Sequence, residues 1–233
     1  MKIYHIYSTF DNMSSIRYKV AEKTWSLTDI TQIPVSEKLL EKNLIDDGYR
    51  KIPYVKDIID KGVELINDSD NYIILFTNSD SCMLPTIVDD LKTVTDSDTQ
   101  VYCRRDINFD YNDPLQYDDI ASLDVFCGKD GFAFTKNYWI DTKFKFLNMI
   151  FGAEFWDYIF YIQFKLHSNL KSIDDKLYHR SHSTDWGSSL YRYTSPSQIY
   201  NIKLARDFLR KNIDVVDRYD HMKIWENDVF LKV

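Results

Sequence analysis

The sequence predicts an α/β fold built on a right-handed, mostly parallel sheet. Three observations in the first hundred of its 233 residues lead to this prediction. Short runs of β-branched and aromatic residues alternate with segments whose apolar residues recur at helical spacing. Proline stands at the start of two of those helical segments, where its fixed φ angle suits the first turn. No linker and no internal repeat interrupts the chain, so we expect one domain over residues 1–233.

Seven elements are expected in the first half. The predicted strands lie at residues 2–8, 29–35, 72–77 and 101–104, and the predicted helices lie at 14–25, 53–66 and 85–94. In the helix that begins at Pro53, the apolar residues Val55, Ile58, Ile59 and Val63 share one face. The alternation places the carboxyl ends of these strands at one edge of the sheet, where open α/β folds bind their ligands.

The pattern changes after residue 106. Residues 106–122 are polar, aromatic and irregular, which predicts a loop that lies over a site. Residues 123–134 predict two strands separated by a turn at Gly128-Lys129-Asp130-Gly131. Residues 153–168 are apolar nearly all round, which predicts a buried helix.

A last helix is expected to begin at Ser195-Pro196, with Gln198 completing a capping box. This helix belongs to a predicted C-terminal helical extension, residues 191–233.

Composition and charge narrow the class of protein. A net charge of −7 disfavours a dedicated nucleic-acid binder, which would carry a basic field. The chain begins without an apolar signal segment, and its longest apolar run, 155–166, is too short and too polar to span a bilayer. Three cysteines without metal-binding spacing, Cys82, Cys103 and Cys127, are expected to be reduced thiols. These features predict a cytoplasmic protein without a membrane span.

The buried strand at 72–77 runs directly into Asn78, Ser79 and Asp80. These residue types favour turns, so a simple turn is one interpretation. The alternative is a cation or diphosphate site, because Asn78 and Asp80 can direct two oxygen ligands toward one hard divalent ion.

The segment "GAEFWDYIF" places Glu154 and Asp157 three residues apart at the start of the predicted buried helix. Two acids at a helix start are also favoured by the helix dipole alone. The neighbouring side chains are aromatic or aliphatic, and a carboxylate in such surroundings has a raised pKa and can serve as a general base.

Two further segments carry cationic side chains near strand ends. His179 and His182 flank Arg180 in "YHRSH", where they could complete a metal sphere or bind a diphosphate. Arg104 and Arg105 in "CRRD" could contact phosphate or an acceptor, or could form surface ion pairs.

Taken in order, these segments resemble a set of uncharacterised proteins of the GT-A class of nucleotide-sugar glycosyltransferases. The motifs "IP-x-V-x-D", "hhhxTNxD" (h, hydrophobic), "RRD", "G-x-D-x-F-x-F" and "G-x-E-x-W-D", followed by a late His, correspond here to residues 52–57, 73–80, 104–106, 128–134 and 152–157, and to His179 or His182. The resemblance implies a GT-A-like, mostly parallel Rossmann-like sheet with an antiparallel acceptor-side extension. It also implies a nucleotide-sugar-binding half, 1–106, and an acceptor or catalytic half, 107–190.

The resemblance further implies roles for individual residues. The nucleotide-sugar-binding residues would be Ser8, Thr9, Asp11, Arg50, Asn78, Ser79, Asp80, Arg104, Arg105 and Asp130. Glu154 or Asp157 would be the catalytic carboxylate, with Glu154 preferred for its position nearest the helix entrance. A Mn²⁺ or Mg²⁺ ion would be held by Asp80 with Asn78, His179 or His182, although Asn78 replaces an acidic residue and weakens that expectation.

The activity implied is transfer of a sugar from a nucleotide-diphosphate sugar to a hydroxyl acceptor. The acceptor could be a saccharide, a protein or modified DNA, and the acidic composition disfavours DNA despite a basic helix with Lys203, Arg206, Arg210 and Lys211. Two alternatives stay open. One is a sugar-nucleotide nucleotidyltransferase, disfavoured because the first loop lacks a Gly-rich phosphate-binding sequence. The other is a non-catalytic carbohydrate-binding protein.

Overall fold

The computed structural model describes residues 1–10, 15–46, 51–121, 123, 125–180 and 195–212. Within them the strands are β1 Ile3–Thr9, β2 Thr31–Ser36, β3 Leu44–Asp46, β4 Lys51–Pro53, β5 Ile73–Thr77, β6 Cys82–Met83, β7 Asp98–Ile107, β8 Val125–Thr135 and β9 Asn169–Arg180. The helices are α1 Ile16–Trp25, α2 Val55–Leu65, α3 Ile87–Leu91, α4 Tyr117–Ile120, α5 Lys136–Thr142, α6 Trp156–His167 and α7 Pro196–Lys211. Short 3-10 helices lie at Glu37–Asn43 and Lys143–Lys145.

Seven strands form one mixed sheet in the order β2-β1-β5-β8-β7-β9-β6. Strand β1 pairs in parallel with β2 and β5, and β7 pairs in parallel with β9. Strand β8 is antiparallel to both β5 and β7, so β1, β2, β5, β7 and β9 all run in one direction. In this sheet only β8 and β6 run in the opposite direction. The predicted mostly parallel sheet with an antiparallel extension is confirmed. A separate antiparallel pair is formed by β3 and β4.

Strand β5 explains how the sheet is buried. All five of its residues are buried, and successive side chains point to opposite faces of the sheet. Ile74 and Phe76 join a core shared with α2, α6 and α7, while Ile73 and Leu75 join a core shared with α1 and α3. Helices thus cover both faces, as a parallel sheet requires.

The predicted strand pair at 123–134 is a single strand. Residues 128–131 do not form a turn but continue β8, with shifts of register against β7 between Tyr102 and Arg105. A Cβ atom on Gly131 would lie 2.7 Å from Leu177 Cδ1, so the glycine permits close packing inside the sheet rather than a chain reversal.

Other boundaries differ for local reasons. Pro53 ends β4 and Tyr54 caps α2, so Pro53 is not the first helical residue. Helix α6 begins at Trp156 rather than at residue 153. The loop after β7 contains the four-residue helix α4.

The capping box of α7 forms only in part. Ser195 Oγ accepts from Gln198 N, but Gln198 Oε1 accepts from Glu154 N at 2.7 Å instead of returning to the cap. Cys82 and Cys103 are buried free thiols.

Candidate functional site

The polar residues of the predicted site meet at one edge of the sheet. Strands β5, β7 and β9 end there, and the opposite direction of β8 brings its beginning to the same place. Asn78, Asp106, Asp130 and His179 therefore become neighbours although they are far apart in sequence. This edge is where open α/β sheets bind ligands.

Asp80 is bound by two cationic side chains. Its Oδ2 lies 3.1 Å from His179 Nε2 and 3.6 Å from Arg17 Nε. The other ring nitrogen of His179 lies 3.6 Å from Asp106 Oδ1. Burial opposes a charge on this imidazole, but Asp106 and Asp80 outweigh it and raise the pKa of His179 to about 9. His179 is therefore an imidazolium at neutral pH.

Arg104 joins the other two carboxylates of the cluster. Its Nε donates to Asp106 Oδ1 at 2.8 Å, and an Nη atom donates to Asp130 Oδ2 at 2.6 Å. Asp130 is 2% exposed, and its second oxygen accepts from Asn78 Nδ2 at 3.0 Å. Burial works against the guanidinium charge, but Asp130 and Asp106 prevail and raise the pKa of Arg104 above its usual value.

The cluster is balanced in charge. Three carboxylates, Asp80, Asp106 and Asp130, face three cations, and the cations are Arg17, Arg104 and His179. Such pairing is what permits charges to be buried at all. We call these six residues the ion cluster.

Asp157 lies in the first turn of α6, beside the ion cluster. Its Oδ2 accepts a hydrogen bond from Lys129 N, at 3.3 Å. Burial, and then the negative charge of Asp130, raise the pKa of Asp157 to about 6, while Arg104 acts in the opposite direction. A carboxylate that titrates near neutral pH is suited to take a proton from a reacting hydroxyl.

Glu154 has a different setting from the one predicted. It precedes α6, and Phe155 between it and the helix has a left-handed φ of 64°. Its backbone N–H donates to Gln198, and its carbonyl accepts from Asn201 Nδ2 at 3.1 Å, so α7 holds this segment. The two acids do not share a helix face. Asp157 accepts a hydrogen bond from Lys129 N, the residue next to Asp130 of the ion cluster.

Four of the remaining predicted residues lie in the turn after β5 or at the end of β1. Asn78 and Ser79 lie in a turn, with Ser81 N donating to Asn78 O at 3.2 Å, so the turn and the site coexist. Ser8, the last residue but one of β1, has a buried hydroxyl without a hydrogen-bond partner among the described residues, and Thr9, which ends the strand, is half-buried.

Arg105 turns away from the cluster and donates to the carbonyls of Ala121 and Leu123. Asp11, Arg50 and His182 lie outside the described residues.

Three residues of this region were not predicted as site residues. Arg17 comes from the first turn of α1, Asp106 is the last residue of the "CRRD" segment, and Lys129 lies in β8 with Nζ 3.3 Å from Cys103 Sγ. The signal that could have found the first two is position, because Asp106 is the last residue but one of β7 and Arg17 lies in the first turn of the helix that follows β1.

The predicted Mn²⁺ or Mg²⁺ site can be tested against these contacts. Asp80 Oδ2 is engaged by His179 and Arg17, and Asn78 directs its amide nitrogen, not its oxygen, to Asp130. Among the described residues, no group of three or more His, Cys, Asp or Glu side chains is arranged to hold an ion. The described residues do not form a ready metal site.

Comparisons with known proteins agree on the architecture. No protein-family model and no curated protein matches the chain. Among solved structures, S. aureus TarS 1–349 in complex with UDP-GlcNAc is similar to 100% of this chain and 76% of that chain, at 12% identity and a TM-score of 0.55. The chain has a GT-A-like fold. A second structure of TarS 1–349 is 14% identical over 100% of this chain and 75% of that one, with a TM-score of 0.53.

No helix in the described part of the chain is both long and apolar enough to span a membrane.

Proposed function

We propose that this protein is a glycosyltransferase that transfers a sugar from a nucleotide-diphosphate sugar to a hydroxyl acceptor. The observation that carries the proposal is the position of Asp157, in the first turn of α6 and next to an ion cluster at the ligand-binding edge of a GT-A-like sheet. Burial, which raises the pKa of Asp157 to about 6, supports its role as a base. The likeness to a TarS structure that holds UDP-GlcNAc supports the class of donor and makes UDP-GlcNAc the first donor to test.

In the proposed reaction, the acceptor hydroxyl attacks the anomeric carbon and its proton passes to Asp157. The bond between that carbon and the diphosphate oxygen breaks, and the electron pair leaves with the nucleoside diphosphate. A single displacement of this kind inverts the anomeric configuration. Preorganised hydrogen-bond donors lower the barrier when negative charge develops on the leaving group, and Asp80 holds two such donors, the imidazolium of His179 and the guanidinium of Arg17, at this edge.

Ser8 supports a place for the nucleotide. A buried hydroxyl without a partner costs free energy, so native proteins rarely keep one without a reason. Ser8 is 2% exposed at the carboxyl end of β1, the strand next to β5. Its Oγ would be satisfied by a ribose hydroxyl or a base of the donor.

The function is tested by product analysis. With UDP-GlcNAc and a panel of saccharide and protein acceptors, we expect acceptor-dependent release of UDP and an acceptor mass increased by one sugar residue. Release of pyrophosphate from a nucleoside triphosphate and a sugar phosphate would instead establish a nucleotidyltransferase. Donor binding without any turnover would favour the non-catalytic alternative.

Donor binding should depend on Asp80. A ligand that binds only the native state at 100 times its Kd stabilises that state by about 2.7 kcal/mol. We therefore expect UDP-GlcNAc to raise the melting temperature, and Asp80→Asn to reduce this shift, because the ion cluster loses the group that positions His179 and Arg17. Differential scanning fluorimetry over a donor titration measures both.

Asp89→Asn is the matched control, since Asp89 is an exposed residue of α3 whose carboxylate pairs with Lys92 on the surface. The same titrations in EDTA and in Mn²⁺ test the metal. We expect the donor to raise the melting temperature equally in EDTA and in Mn²⁺, because His179 and Arg17 already engage Asp80. A shift that needs Mn²⁺ would mean that an ion displaces His179, and an undiminished shift in Asp80→Asn would remove Asp80 from the site.

A further inference from the structure

A buried polar network crosses three strands behind the ion cluster. His5 of β1 is fully buried, with Nδ1 2.6 Å from Gln32 Oε1 on β2 and Nε2 2.7 Å from Thr77 Oγ1 on β5. Thr77 Oγ1 also lies 2.9 Å from the carbonyl oxygen of Asn78. The network therefore begins two strands away and ends on the backbone that leads to Asp80.

The protons in this network can be assigned by counting donors. Gln32 donates its amide nitrogen to Ile30 O at 3.0 Å, so its oxygen faces His5 and the ring nitrogen Nδ1 must carry a hydrogen. Burial lowers the pKa of His5 to about 4, which leaves the ring neutral and Nε2 without a hydrogen. Nε2 then accepts from the Thr77 hydroxyl, whose single proton is shared between His5 and the carbonyl of Asn78.

The other end of the 78–81 turn, at Ser81, is held by Trp25, whose ring packs against His5. Trp25 Nε1 donates to Ser81 O at 2.9 Å. The ring of His5 packs against the Trp25 ring edge to face, with centroids 4.8 Å apart. His5 thus contacts both side chains, Thr77 and Trp25, that fix the ends of the turn at residues 78–81, which carries Asp80.

We propose that His5 is a positioning residue that fixes the 78–81 turn, and with it the Asp80 carboxylate that holds His179 and Arg17 for binding of the donor diphosphate. This inference rests on the proposed function and deepens it, because His5 acts through Thr77 and Trp25 without touching the donor. A buried imidazole between apolar strands brings a desolvation cost that an apolar side chain would avoid. Control of the turn is the role that its contacts support.

Two variants separate positioning from stability. His5→Phe keeps a ring against Trp25 and removes both polar bonds, whereas Thr77→Val keeps the volume and removes only the hydroxyl. We expect each variant to weaken UDP-GlcNAc binding about tenfold, which corresponds to the loss of about one hydrogen bond that holds the turn. Thr135→Val is the matched control, because Thr135 is an equally buried threonine of β8 whose hydroxyl caps α5.

Amide hydrogen exchange supplies a readout that does not need the donor. Ser81 N–H, which closes the turn by donating to Asn78 O, should exchange faster in Thr77→Val and His5→Phe and unchanged in Thr135→Val. Wild-type donor affinity together with unchanged exchange at Ser81 in both variants would overturn the inference. An equal loss of donor affinity in Thr135→Val would also overturn it, because the loss would then reflect lower stability of the fold and not the position of the turn. Faster exchange in a protein whose wild type binds no donor would keep the role of His5 and refute the proposed function.

Discussion

Asp157→Asn is expected to slow sugar transfer by about 10²- to 10⁴-fold while donor affinity stays near that of the wild type. The amide keeps the size of the carboxylate and can still face Lys129 N, but it cannot accept the acceptor's proton. Donor affinity should persist, because the ion cluster that we propose to bind the diphosphate is unchanged in this variant. Initial rates with a saturating donor, together with donor titrations, separate the two effects.

The pH profile adds a second signature. A base must be deprotonated to act, so the wild-type rate should rise with pH through an apparent pKa of about 6, the value for Asp157. That limb should be absent from the residual activity of Asp157→Asn. Glu154→Gln is the matched control, because Glu154 stands in the same segment and its backbone is held by Gln198 and Asn201. If Glu154→Gln loses turnover and Asp157→Asn does not, the base is Glu154.

Arg104→Met is expected to lower the free energy of unfolding by about 3–5 kcal/mol, the usual cost of removing one partner from a buried ion pair. The side chain is 19% exposed and neutralises Asp130, whose side chain is 3% exposed, and Asp106. Methionine fills much of the space but leaves two carboxylates uncompensated. Urea titration followed by circular dichroism gives the free energy of unfolding by linear extrapolation.

Arg105→Met provides the comparison, because the neighbouring arginine donates to backbone carbonyls and not to the ion cluster. We expect its cost to be within about 1 kcal/mol, as for an ordinary hydrogen bond. Arg104→Met should also shift the acid limb of activity to higher pH, since Arg104 lowers the pKa of Asp157. Equal stability losses in the two variants would show that Arg104 is not the central cation.

The order of strands and helices was largely predictable because its signals are local. The short apolar run of β5 and the helical periodicity of α2 are patterns of neighbouring side chains, and they can be read without knowing the partner elements. The position of Asp80 and Arg104 at strand ends followed from the same patterns, and the structure brings both to one edge.

Contacts between distant segments decided what these patterns left open. Gln198 bonds Glu154 rather than its own cap, and Phe155 adopts a left-handed conformation, so α6 begins three residues late and the two acids separate. Leu177, in β9, fills the space beside Gly131, which keeps residues 128–131 inside a strand. The local sequence of residues 128–131 and 153–157 gives no sign of these contacts with β9 and α7.

The sequence by itself determined the α/β class, the direction of its main strands and the edge at which the polar residues gather, because hydrophobic periodicity and turn chemistry act over a few residues. Only the tertiary structure decided how those residues pair. His179 lies against Asp80 across 99 positions of sequence, and Arg104 against Asp130 across 26. Charge pairing and desolvation depend on distances in space, and these exist only once the sheet has formed.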